Sequence, residues 1–212
     1  MKKPILLIAL LFFCASGFAQ THLYEHPNFD EIAASHKIIG ILPFETTVKL
    51  RPKQMEEITL EQLDRMEENE ALNIQSALYS WFLKREKQGK LMVKVQDTHT
   101  TNAKLNKAGV NKDNFNQYTP ADLAKILEVD AILMGQFETN KPMSEGAAIA
   151  LGVISGFGTT NKAIVNLFIY NAADGELLVN YNKGIAGSVG SSTDGLINVL
   201  MRKASRRITY TK

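Results

Sequence analysis

The sequence predicts a single α/β domain: a mixed sheet of about five strands flanked by helices, with a C-terminal β-hairpin followed by a helix. Three observations carry this. Apolar runs at Ile38–Leu42, Leu91–Val95 and Ala131–Phe137 have strand length and no helical period. Between the first two, Leu60, Leu63, Met66, Leu72, Ala77, Leu78, Trp81 and Phe82 recur at steps of three and four with longer gaps, the pattern of an amphipathic helix. Two extended segments then flank Asp174-Gly175, and a last amphipathic stretch follows them.

The first residues are set aside before the fold is read. Lys2 and Lys3 precede an apolar run from Ile5 to Phe13, and Gly17-Phe18-Ala19 stands before Gln20. A basic start, a short apolar core and small residues read as a secretory signal, residues 1–19, cleaved after Ala19. Its apolar run is too short to span a bilayer as a helix. A lipoprotein signal using Cys14 is the rival, and it needs a small residue where Phe13 stands. The chain has 24 basic and 22 acidic residues, and removing 1–19 takes two lysines and no acid, so the balance becomes even. That bulk charge does not call for nucleic acid. Cys14 is the only cysteine, so the mature chain has no disulfide, thiol nucleophile or cysteine metal site. The remaining ~190 residues suit one domain with its own core.

Residues 20–36 are a polar segment. Asn28 is placed to cap a short helix, Phe29–Ala34. His22 and His26, four apart, have the spacing of two metal ligands on one helix face, but no third ligand is near and a frayed terminus explains them. The domain proper spans 37–212. Ile38–Leu42 is apolar without alternation, as a strand covered on both faces would be, and Pro43-Phe44 ends it. Residues 46–54 read as loop. Thr59 and Gln62 form a capping box for the long helix, and Gly89 stops it. Glu56, Glu57, Glu61, Asp64, Glu67, Glu68 and Glu70 crowd its start, and Lys84, Arg85 and Lys87 its end, both favourable to the helix dipole.

Leu91–Val95 is the second strand. A short helix at about Asn102–Ala108, closed by Gly109, follows, and then a polar loop from Asn111 to Tyr118. Thr119-Pro120, with Asp122 in reach of the cap, opens another helix to about Leu127. In the hairpin, Ala163, Val165, Leu167 and Ile169 form one apolar face, while Asn166, Phe168 and Tyr170 make the opposite face mixed. A two-residue turn at Asp174-Gly175 would set Leu167 against Asn182 and Ile169 against Asn180. A three-residue loop, Ala173-Asp174-Gly175, with Gly175 left-handed, sets Ile169 against Val179 and Leu167 against Tyr181. Ser192 or Thr193 caps the last helix, whose final turns carry Arg202, Lys203, Arg206 and Arg207.

No catalytic pattern emerges. No serine lies in a G-x-S-x-G elbow, and Ser188, Ser191 and Ser192 stand where caps belong. The four histidines, His22, His26, His36 and His99, do not approach a metalloprotease spacing. Gly152, Gly156 and Gly158 invert a dinucleotide loop, and no phosphate-binding lysine follows. Asp97 and Asp130 lie at strand edges, where an Asp more often caps or turns than catalyses. The expectation is a protein that is not an enzyme and takes no cofactor. Within the apolar loop 140–161, Glu145–Gly158 contains Ile149, Leu151, Val153, Ile154 and Phe157, the candidate partner or membrane contacts. It is either a core helix of about three turns or a displayed element touching a partner or a membrane.

Ile38-Ile-Gly-Ile-Leu-Pro-Phe44, Val129-Asp-Ala-Ile-Leu-Met-Gly135, Val165-Asn-Leu-Phe-Ile-Tyr170 and Asp174-Gly-Glu-Leu-Leu178 follow one another in an order that resembles a known family. It is the periplasmic α/β domain shared by the curli secretion channel protein CsgG, the LpoB-type activators of penicillin-binding proteins and related small envelope lipoproteins. The resemblance implies an exported, non-catalytic protein at the periplasm or outer-membrane periphery. Such a protein works as an adaptor or activator for an envelope protein, or as a ring-forming homo-oligomer in a secretion or assembly complex. The chain departs from the family at Phe13, where the lipid anchor needs a small residue. It departs again between Ile185 and Thr193, which is too short for a second membrane hairpin. The second departure speaks against a channel and favours an adaptor or activator.

Overall fold

Strand β2 (Ile38–Ile41) is covered from both sides, as its unbroken apolar run requires. The computed structural model describes residues 21–50, 52–56, 58–139, 162–187, 193–208 and 210–211. In chain order the other elements are β1 (Thr21–Glu25), α1 (Phe29–Ala33), β3 (Glu45–Val48), α2 (Pro52–Glu56), α3 (Leu60–Lys87), β4 (Lys94–Val95), α4 (Thr98–Lys107), a 3-10 turn (Phe115–Gln117), α5 (Pro120–Leu127), β5 (Ala131–Thr139), β6 (Lys162–Asn171), β7 (Leu177–Ala186) and α6 (Thr193–Arg207).

Among the described residues the sheet is mixed and has seven strands, ordered β1-β7-β6-β5-β2-β4, with β3 also beside β5. Strands β2, β3, β4 and β5 pair in parallel, whereas β5, β6, β7 and β1 run antiparallel. Two short polar strands join the roughly five that the sequence marks. One is β1, which comes from the segment read as a frayed terminus. All five of its residues are exposed, so it carries no alternation. The other is β3, where a loop was expected. It resumes the line of β2 after Leu42-Pro43-Phe44: Ile39–Ile41 pair with Ala131–Leu133, and Glu45–Val48 pair with Gln136–Thr139. Phe44 crosses the sheet at Gly135, where a Cβ would fall 2.2 Å from its ring.

Helices α3 and α6 cover one face, with Ile74, Leu78, Phe82, Leu200 and Met201 against Ile39, Leu133, Val165, Leu167 and Tyr181. On the other face Leu105, Leu123 and Leu127 of α4 and α5 pack on Leu42 and Ile132. Both predicted capping boxes are present, Thr59 with Gln62 and Thr119 with Asp122. Gly89 and Gly109 take positive φ just past their helices. Helix α4 starts four residues earlier than expected because the Asp97 carboxylate accepts from Thr100 N and caps it there. Strand β4 is shorter than Leu91–Val95, for Leu91 makes only an isolated bridge to Thr211.

The hairpin register is the expected one, Ile169 against Val179 and Leu167 against Tyr181. It is reached by another route. Asn171 N donates to Glu176 O at 2.9 Å, which closes a four-residue loop, Ala172–Gly175, and a bulge beyond Ile169 restores the parity. Gly175 is left-handed, with φ of 74°.

Candidate functional site: a mixed polar and aromatic sheet face

Register alone lines up a polar row. Glu45 of β3 pairs with Gln136 of β5, Gln136 with Asn166 of β6, Asn166 with Asn182 of β7, and Asn182 with His22 of β1. Directly paired residues share a face, so all five side chains stand on one side of the sheet. The next row on that face is Met134, Phe168, Asn180 and Tyr24. Helix α5 packs against Met134 and Tyr170. Beyond them no described element covers the face: Ile164, Asn166, Phe168, Asn180 and Asn182 are half-buried, and Gln136, His22 and Tyr24 are exposed.

Two hydrogen bonds link polar side chains of this face across strands. Gln136 Nε2 donates to Glu45 Oε2 at 3.0 Å, and Asn182 Nδ2 donates to Asn166 Oδ1. The rings of Phe168 and Tyr170 stack with centroids 6.3 Å apart. Amides with spare donors and acceptors beside half-exposed rings can bind another surface by hydrogen bonds and ring contact.

The residues singled out in the sequence fall elsewhere. Ile149, Leu151, Val153, Ile154 and Phe157, residues 1–19, which the sequence reads as a signal, and Ser188, Ser191 and Ser192 lie outside the described residues. Asp97 and Asp130 each hold a local backbone role. Asp97 caps α4, and Asp130 Oδ2 accepts from Lys37 N at 2.7 Å and Ile38 N at 2.9 Å, fixing the entry to β2. Burial pushes Asp130 up, but those two amides, with His36 and Lys37, outweigh it and hold its pKa below the ordinary value.

His22 lies on β1 and His26 just after it, so an extended chain separates them by roughly 13 Å. His26 Nε2 instead meets Glu176 Oε1 at 3.2 Å. His36 is buried, with Nδ1 2.5 Å from the Tyr210 hydroxyl and Nε2 3.2 Å from Asn171 Oδ1. Burial, reinforced by Asp130, drives the Tyr210 pKa far above its ordinary value. This trio ties the C-terminus to the hairpin. Among the described residues no group of three His, Cys, Asp or Glu side chains could hold a metal ion. Among them, too, no helix is long and apolar enough to cross a membrane.

Sequence reasoning missed the open face as a site, although its signal was present. Asn166 and Phe168 share one parity on β6, and Asn180 and Asn182 share one on β7, so a mixed face was visible. Among the described strands β1 and β3 extend it into a surface, and neither is visible as a strand in the sequence.

No protein-family model matches the chain. No curated protein matches it either. Among solved structures it is similar to the lipoprotein GNA1162 from Neisseria meningitidis, at 14% identity and a TM-score of 0.45, covering 82% of this chain and 99% of that one. It is similar to the PelC dodecamer from Paraburkholderia phytofirmans, at 8% identity and a TM-score of 0.42, over 87% of this chain and 93% of that one. It is also similar to the LpoB C-terminal domain from Salmonella enterica, at 8% identity and a TM-score of 0.30, over 76% and 93%.

Proposed function

We propose that this chain is an exported, non-catalytic protein of the cell envelope that acts as a binding or adaptor module for another envelope protein. The observation that carries the reading is the face of β5, β6, β7 and β1 that no described element covers, with its cross-strand row from Gln136 to His22. A sheet of this size normally covers its apolar side and leaves a solvated side polar. Here the open side mixes amides with Phe168, Tyr24 and Ile164, the composition of a contact surface. The signal-like N-terminus and the resemblance to periplasmic α/β domains support the compartment. On sequence grounds Ile149, Leu151, Val153, Ile154 and Phe157 are a second set of contact candidates, toward a partner or a membrane periphery.

The test is the mass of the complex extracted from the native envelope with mild detergent. Wild type migrates with a heterologous partner, and Asn182→Arg, which keeps its thermal midpoint, migrates as the free chain. A ring of many identical subunits would support the assembly reading instead. Unchanged migration of the variant would remove the open face from the account.

A further inference from the structure

Arg85 lies near the C-terminal end of α3 and is 6% exposed, yet its guanidinium is only partly satisfied. Nη1 donates to Gln88 Oε1 at 3.2 Å, whereas Nε and Nη2 are buried without a hydrogen-bond partner. Those two nitrogens form one edge of the guanidinium plane, the edge that takes two oxygens of one oxyanion side-on. Arg85 is not capping its own helix. The carbonyls of Lys84, Arg85 and Glu86 accept from the amides of Gln88, Gly89 and Lys90.

The surroundings are cationic. Trp81 Nε1 donates to Asn198 Oδ1 of α6 at 2.8 Å, which sets the register of the two helices. Arg202 and Arg206 follow Asn198 at steps of four, as Arg85 follows Trp81, so they stand beside Arg85 on the same stripe. Arg85 Cζ lies 5.6 Å and Lys84 Nζ 4.6 Å from the Trp81 ring centroid, making the indole a wall of the cluster. Burial first, then Arg206 and Arg202, lower the Arg85 pKa, and no carboxylate contributes to that shift. Among the described residues no acidic side chain is ion-paired with Arg85, Arg202 or Arg206. A covered cation without a counterion is costly, and two helix C-termini offset only part of that cost.

We propose that Arg85, Arg202 and Arg206 form a binding site for a phosphoryl oxyanion, with Trp81 as its wall. Planar guanidinium forks match the oxygens of a phosphoryl group, and an anion there offsets part of the charge that three of them concentrate. The group comes from a free phosphate ion or from the headgroup of an anionic phospholipid. The site is on the helical layer, across the sheet from the open face, and does not depend on it.

The experiment follows the thermal midpoint of the full exported chain against inorganic phosphate, with chloride and acetate at equal ionic strength. Phosphate raises the midpoint saturably, and chloride and acetate do not. Arg85→Met abolishes the response while holding or raising the anion-free midpoint. Arg202→Gln with Arg206→Gln, on partly exposed positions that leave the fold intact, weakens the response by about tenfold or more. Co-sedimentation with phosphatidylglycerol vesicles and not phosphatidylcholine vesicles, lost in the double variant, assigns the headgroup. A phosphate response without vesicle binding assigns the free ion. Equal shifts with all three anions and no vesicle binding overturn the proposal, as does a double variant that behaves like wild type.

Discussion

Asn166 and Asn182 stand directly opposite each other in the β6–β7 ladder, and the Asn182 amide donates to the Asn166 carbonyl on the open side of the sheet. Asparagine is a poor strand residue, so two of them in mid-ladder are not an optimum for stability. Replacing both by threonine is expected to leave stability unchanged or raise it by up to about 1 kcal/mol. Urea denaturation measures this. A loss of more than that would show that the amide pair holds the hairpin together, and it would become a structural feature.

Two glycines are expected to resist substitution for different reasons. Gly175 has open surroundings, with Ala121 Cβ 3.7 Å from a Cβ placed there, but its φ is +74°. Gly175→Val is therefore expected to cost on the order of 1–2 kcal/mol or more through backbone conformation. Gly135 lies under the Phe44 ring. Gly135→Ala is expected to cost roughly 1–3 kcal/mol by overpacking. Adding Phe44→Leu is expected to restore part of that, whereas no second side chain rescues Gly175→Val. Denaturation midpoints of the single and double variants decide both.

Asp130 gives the fold a pH dependence whose sign is fixed. Its folded pKa is depressed, because the Lys37 and Ile38 amides and the nearby charges outweigh burial. The stabilisation is therefore present above the unfolded pKa of about 4 and is lost as pH falls through the folded value. Asp130→Ala is expected to lower stability by roughly 2–3 kcal/mol at neutral pH, with the gap to wild type closing below about pH 4. A gap of the same size at both pH values would mean that the carboxylate charge contributes nothing.

What the sequence made legible was local and periodic. The helix boundaries at Thr59, Gly89 and Thr119 were set by cap chemistry, and the structure has them. The hairpin register followed from parity, because a slip would have turned Asn180 and Asn182 into the core. The loop that delivers the register was not legible, since a three-residue loop and a four-residue loop with a bulge give the same pairing. Strands β1 and β3 were invisible for another reason. They exist through long-range pairing with β7 and β5, and Thr21–Glu25 buries no side chain that would mark it. Without them the open face is a few mixed residues on one hairpin. Arg85 illustrates a further limit: in sequence it complements a helix dipole, and only the packing of α6 shows it covered and half-satisfied.

The most direct test of the central claim is site-specific photo-cross-linking in the native envelope. A photoreactive residue is placed at Tyr24, Asn180 or Asn182 on the open face, and, as controls, at Leu72 or Leu83, exposed on α3. If the sheet face is the contact surface, all three face positions give an adduct with the same envelope protein and neither helix position does. Adducts from Leu72 or Leu83, with none from the sheet face, would contradict the account.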